Sequence, residues 1–162
     1  MNASLHVIPT DSVEGVTNRL GRPSAGTAGT NAYALVGLLG ALAPNEIELS
    51  TSGDAVEAVW FYLDVNCDMK LRALSSVSPA PEWAALGYRW VYSVPYAKAC
   101  EMVEWLNHMT IEPDQMRWLL SEMHESDGEY DPEQVRRAYE DLRRGLTKVS
   151  AGRIAILWLR KD

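Results

Sequence analysis

Phenylalanine is almost missing from this chain, one residue in 162, while tryptophan occurs six times and tyrosine seven. Most of the tryptophan rings must therefore find a packed home of their own. Cysteine is scarce too. Cys67 and Cys100 stand far apart with no CxxC and no Cys/His spacing, so a zinc site has no ligands to draw on and a single disulfide is left open but unforced. The expectation is two small buried thiols in a reducing cytosol. Positive charge is short: 15 Lys and Arg against 22 Asp and Glu give a net charge of −7 and a pI near 5.0. That balance argues against a general nucleic-acid binder relying on counterion release. Long apolar runs are lacking. The longest, Ala32–Ala43, has twelve residues including two glycines, short of the roughly 18 a membrane span needs, and reads as a core helix. Met1–His6 shows no basic region followed by an apolar stretch, so a cytoplasmic protein is expected.

Several catalytic signatures are missing as well. There is no GxSxG, and three histidines leave little room for a triad hydrolase. The loop Gly21–Asn31 precedes a helix and invites a phosphate reading. It has no lysine where a P-loop requires one, however, and it is not GxGxxG. Asp64, Asn66 and Asp68 imitate the start of a calcium loop, but Met69 and Ser75 stand where glycine and glutamate are needed.

What is present is a core. Apolar types make up 47% and charged types 23%, within the length of one domain, which we take as residues 1–162. Leu5–Ile8 reads as a strand stopped by Pro9. Asp11 and Glu14 form a capping box for a helix through Val13, Val16 and Leu20. Glu46–Ser50 reads as a strand, Asp54–Leu63 as a helix, Leu63–Ala73 as a half-buried strand and Tyr88–Val94 as another strand. Ala97–Met109 predicts a helix with Ala99, Met102, Val103, Leu106 and Thr110 inward. Met116, Leu119, Leu120 and Met123 stripe the next helix. Asp131, Pro132 and Gln134 then open a helix lined by Val135, Ala138, Tyr139, Leu142 and Leu146. Ile154–Leu159 suits an interior strand. The class is α+β: mixed short strands in a split sheet with several packed helices, the C-terminal half mostly helical with a final strand.

Trp105 and Trp118 fall off the apolar stripes of their helices. Each is a partner-facing ring, a ring on a helix covered on two sides, or a ring folded down over its neighbours. Glu101, Glu104 and His108 share a stripe opposite the core and read as a solvated face. From Glu122 to Glu133 there are six acids and no Lys or Arg. Glu122, Asp127 and Glu129, with the two tryptophans, are the candidate surface for a protein partner.

Three blocks resemble a known family. Leu5-His6 with Thr10-Asp-Ser-Val-Glu14 and Leu20-Gly-Arg-Pro-Ser24 is similar to the opening of small ADP-ribosyltransferase-like proteins. Ile47-Glu-Leu-Ser50, Asp54-Ala-Val-Glu57 and Phe61-Tyr-Leu-Asp-Val65 resemble the second block of that superfamily. Tyr88-Arg-Trp-Val-Tyr-Ser-Val-Pro95 resembles its third. Small phage-borne members that disable host defences, including an anti-CRISPR type, are similar in size and acidity. The resemblance implies NAD as cofactor and a host macromolecule as substrate. His6 would hold the ribose hydroxyls. Arg22 and Ser24 would lie near the pyrophosphate, Tyr33 would supply a ring, and Ser50 would complete the cofactor contacts. Cleaving the glycosidic bond creates oxocarbenium character that a carboxylate should stabilise. Glu48 stands where the family has its stacking tyrosine. The catalytic glutamate position falls near Gly87, with Glu82 the nearest upstream carboxylate, so Glu48 and Glu82 are the candidate acids. The other reading of the chain is a non-enzymatic acidic inhibitor or immunity-type protein that blocks a partner.

Overall fold

The computed structural model describes residues 2–20, 35, 37–42, 47–52, 55–56, 58–59, 91–108, 112, 114 and 132–160. In chain order these include β1 (Asn2–Pro9), α1 (Ser12–Leu20), β2 (Ile47–Ser52), β3 (Val91–Pro95), α2 (Tyr96–His108), α3 (Pro132–Leu146) and β4 (Arg153–Arg160). Residues 35 and 37–42 are helical, as are 55–56 and 58–59. The fold is α+β.

The four strands make one sheet in the order β2-β1-β4-β3. β1 and β4 run antiparallel over their whole length, from Asn2↔Arg160 to Pro9↔Arg153. β2 pairs antiparallel with β1, with a register shift between Asn2 and Ala3, and β3 pairs antiparallel with β4. The two central strands are covered on both faces, which explains why Ile154 to Trp158 are all buried rather than alternating in and out.

The side-chain period of two divides the core into two layers. On one face Ala3, Leu5, Leu49, Val94, Ala155 and Leu157 meet Ala99, Met102 and Leu106 of α2, together with Val135, Ala138, Leu142 and Leu146 of α3. On the other, Ile8, Val91, Ile154, Ile156 and Trp158 meet Val16 of α1 with Leu35 and Leu39. Fully burying each large aliphatic side chain contributes about 1.5–3 kcal/mol.

The local sequence explains the helices. α3 begins with Pro132, whose missing N–H costs nothing at that position, and carries Glu133 in the first turn with Arg143 and Arg144 in the last, matching the helix dipole. β3 ends in Pro95 and passes directly into α2. The α2 core residues Ala99, Met102 and Leu106 are buried and Val103 is half-buried, as the helical spacing predicts. The Tyr139 hydroxyl of α3 donates to the Leu106 carbonyl, satisfying one of the orphan acceptors at the end of α2. Burial raises the Tyr139 phenol above its ordinary range. In the β4 turn, Gly152 takes φ +78°, a left-handed conformation that disfavours any side chain, and its carbonyl accepts from Thr10 N.

The strand predicted over Leu63–Ala73, the helix containing Met116–Met123 and any second half of a split sheet lie outside the described residues. Cys100 corrects an expectation: it is exposed on α2, not buried. It sits one turn after Tyr96, on the outward side of the helix. A hydrogen bond with the Cys100 thiol, followed by the charge of that group, raises the Tyr96 phenol.

Two outcomes test this packing. Gly15 lies inside α1, and a Cβ added there meets nothing within 4 Å. Gly15→Ala should therefore raise the urea midpoint by an amount equivalent to about 0.5–1 kcal/mol. The second concerns Glu133, which accepts hydrogen bonds from Arg136 and Arg137. The Arg136 bond above all lowers its pKa from 4.5 to about 2. A depressed carboxylate contributes stability that is fully present above its unfolded value and is lost as pH falls through the folded one. The melting-temperature gap between the parent chain and Glu133→Gln should hold at neutral pH, narrow below 4.5 and close by about pH 2.

Candidate functional site

His6 is the residue on which an enzymatic site would depend, and it belongs to the central strand β1. Alternation along β1 sets Ser4, His6 and Ile8 on the layer covered by α1, Leu35 and residues 37–42. The ring is 0% exposed, and Ser4 is buried beside it. Ser4 Oγ and His6 Nε2 are hydrogen-bonded at 3.2 Å, with the donor set by the imidazole tautomer. Across the sheet His6 stands opposite Ile156, which in turn stands opposite Ser93, also buried. Ser4, His6 and Ser93 thus form a polar inset within an apolar layer. The ring offers no surface to a ribose in this structure, and its Nε2 is engaged with Ser4 inside the sheet.

Glu48 lies on β2, directly opposite Ser4 in the register, and Ser50 lies further along the same strand. The backbone of one candidate acid is thereby brought beside the strand that carries His6. Glu82, Arg22, Ser24 and Tyr33 lie outside the described residues, and so do Trp118, Glu122, Asp127 and Glu129. Among the described residues no group of His, Cys, Asp and Glu is arranged to hold a metal ion. No helix among them is long and apolar enough to cross a membrane.

A groove of about 210 Å³ runs between α1 and residues 38–42, lined by Ser12, Gly15, Val16, Arg19, Leu38, Ala41 and Leu42. Among the described residues its lining contains no carboxylate and none of the candidate site residues, so none of them could stabilise a developing oxocarbenium charge.

The outward face of α2 is different. Trp105 is 45% exposed, although rings of this size are usually covered. Glu101, Glu104 and His108 are exposed on the same helix. Lys98 Nζ donates to Glu101 Oε2 at 2.8 Å, an exposed i,i+3 pair that adds little to stability. No ion pair forms to Glu104 among the described residues. Sequence reasoning placed Trp105 off the core stripe but treated Glu101, Glu104 and His108 only as a solvated face. It did not single out Ser4 or Ser93. Their alternation with apolar residues in β1 and β3 was the available signal, and it reads equally well as a wet strand face.

No family model, curated protein or solved structure matches this chain.

The sealed position of His6 has a measurable consequence. His6→Ala should leave a cavity and strip Ser4 of a partner, destabilising the fold by about 2 kcal/mol or more in chemical denaturation. Unchanged stability would contradict a packed, hydrogen-bonded ring.

Proposed function

We propose that this protein acts by occupying a surface of another protein: a non-enzymatic acidic inhibitor or immunity-type protein that blocks a basic partner. The observation that carries this reading is the 45% exposure of Trp105 on the outward face of α2. Tryptophan is enriched at binding hot spots because it buries a large area with few rotatable bonds. The carboxylates beside it and the net charge of −7 favour a positively charged partner. The free, exposed Cys100 thiol fits a reducing compartment, in keeping with action in the cytoplasm. The candidates Trp118, Glu122, Asp127 and Glu129 extend this reading to the acidic segment that follows in the sequence.

A second reading, NAD-dependent ADP-ribosyl transfer to a host macromolecule, draws on one specific observation. The Glu48 backbone pairs opposite Ser4, whose hydroxyl is hydrogen-bonded to His6. On that reading the layer over His6 must open before NAD reaches the imidazole, with Glu48 or Glu82 as the acid. The packing of the ring makes this the weaker proposal.

The two are separated by paired measurements. Immobilised protein should retain a specific partner from a lysate, and Trp105→Ala should weaken that retention at least tenfold, as expected for a central aromatic anchor. Incubation with labelled NAD should release no nicotinamide and transfer no label. Retention unchanged by Trp105→Ala would remove the binding reading. Label transfer lost in Glu48→Gln would replace it with the enzymatic one.

A further inference from the structure

We propose, building on the partner-binding reading, that the outward face of α2 seats an arginine side chain of the partner. Its guanidinium lies over the Trp105 ring, and Glu101 and Glu104 accept its N–H groups.

The argument begins with the arrangement of charge on the two outer helices. α3 carries both signs and its acids are all engaged by its own arginines: Arg136 bonds Glu133 and Glu140, Arg137 bonds Glu133, and Arg144 bonds Asp141, so the charge it leaves over is positive, at Arg143. α2 has two glutamates and a single lysine. Lys98 engages one oxygen of Glu101, Oε2, so Oε1 remains available, and Glu104 has no ion pair among the described residues. Negative charge on this face is therefore left over for an outside cation.

The position of the ring narrows the choice of cation. Glu101 and Trp105 are four residues apart on a helix, which makes them neighbours at about 5–6 Å between Cβ atoms. Glu104, one residue before the ring, lies about 100° from it around the helix and is instead the i,i+3 neighbour of Glu101. A cation drawn to these carboxylates is brought over the indole, the aromatic face that binds cations best. Lysine would meet the carboxylates as a compact, strongly hydrated point charge. Arginine alone stacks flat on the ring while directing in-plane N–H groups outward to carboxylates. An aromatic ring with Glu101 one turn away, and Glu104 next to Glu101, matches that planar fork.

The probes are two blocked decapeptides, alternating Gly-Arg and Gly-Lys, equal in length and charge, titrated calorimetrically into the full chain at low ionic strength. The arginine peptide should bind about fivefold more tightly than the lysine peptide. Trp105→Ala should bring the ratio to about one, and Trp105→Tyr should keep part of it. Glu104→Gln should weaken both peptides alike. Because Trp105 is partly exposed, both ring variants are expected to fold, and far-ultraviolet circular dichroism checks this. Equal affinities, an arginine preference that survives Trp105→Ala, or binding of neither peptide would overturn the inference. So would a sedimentation profile showing that a second copy of the chain covers Trp105, with the dimer lost in Trp105→Ala. These failures differ from failure of the broader reading. If partner retention depends on Trp105 but the peptides show no preference, only the arginine assignment falls. If retention is indifferent to Trp105, the binding reading itself falls.

Discussion

The antiparallel pairing of β1 with β4 is the constraint on which the rest of the described structure depends. It joins residues about 150 positions apart over eight consecutive pairs, and both strands are interior to the sheet. Closing so long a loop costs entropy that grows only slowly with length, so its burden falls more on folding rate than on final stability. The return is large, because the two strands present apolar side chains to both layers at once. β2 and β3 are then positioned by pairing with an already fixed edge. A one-residue slip of β4 would exchange Ile154, Ile156 and Trp158 for Ala155 and Leu157 and mismatch both layers together.

That central position also explains the behaviour of the polar residues on β1. A histidine and two serines inside an apolar layer are tolerated only when their hydrogen-bonding groups are satisfied there, since burying such a group without a partner costs about 1–3 kcal/mol. The Ser4–His6 bond meets part of that demand. A ring fixed in this way contributes to packing and register, and the same contacts withdraw it from solvent. Catalysis at His6 and a sealed sheet are competing uses of one side chain, and the described packing favours the second.

The elements most legible in the sequence were those where independent signals coincide. α3 combined an N1 proline with a wide apolar stripe, and it spans Pro132–Leu146. β4 was visible as an unbroken apolar run, and α2 was placed within a residue at each end. β1 was underread. Leu5–Ile8 looks like a strand by composition, but Asn2 and Ser4 do not, and their extended state comes from pairing on both sides rather than from propensity. His6 could not be placed for a related reason. Ser4 and His6 alternate with Leu5 and Val7, the pattern of a wet strand face, and only the layer formed by α1, Leu35 and residues 37–42 makes that face dry. Cys100 was misread because a small thiol is usually buried, whereas its helical phase relative to Met102 and Leu106 turns it outward. Trp105 was legible in direction but not in exposure. Phase locates a ring off the core stripe and does not reveal whether it folds down onto its neighbours.

The same architecture determines what the α2 surface can do. The helix is restrained at three places: Pro95 joins it without a linker to the sheet, Met102 and Leu106 bury its inner face, and Tyr139 ties the Leu106 carbonyl near its end. An outward residue on such a helix is held by a backbone that does not need to become ordered when a partner arrives. Binding then loses less entropy than it would from a loop, where each immobilised side chain costs about 0.5–1.5 kcal/mol and the backbone adds more. The exposed indole is consistent with this arrangement, since its two side-chain torsions leave little freedom to lose. On α3 the carboxylates are occupied by arginines of the same helix, so a cationic partner there would have to break existing pairs before making new ones. On α2 the carboxylates beside Trp105 face no such competition beyond Lys98. Rigidity and unspent charge therefore coincide on a single helix, and their coincidence, more than the overall acidity of the chain, singles out α2 as the surface fitted for recognition.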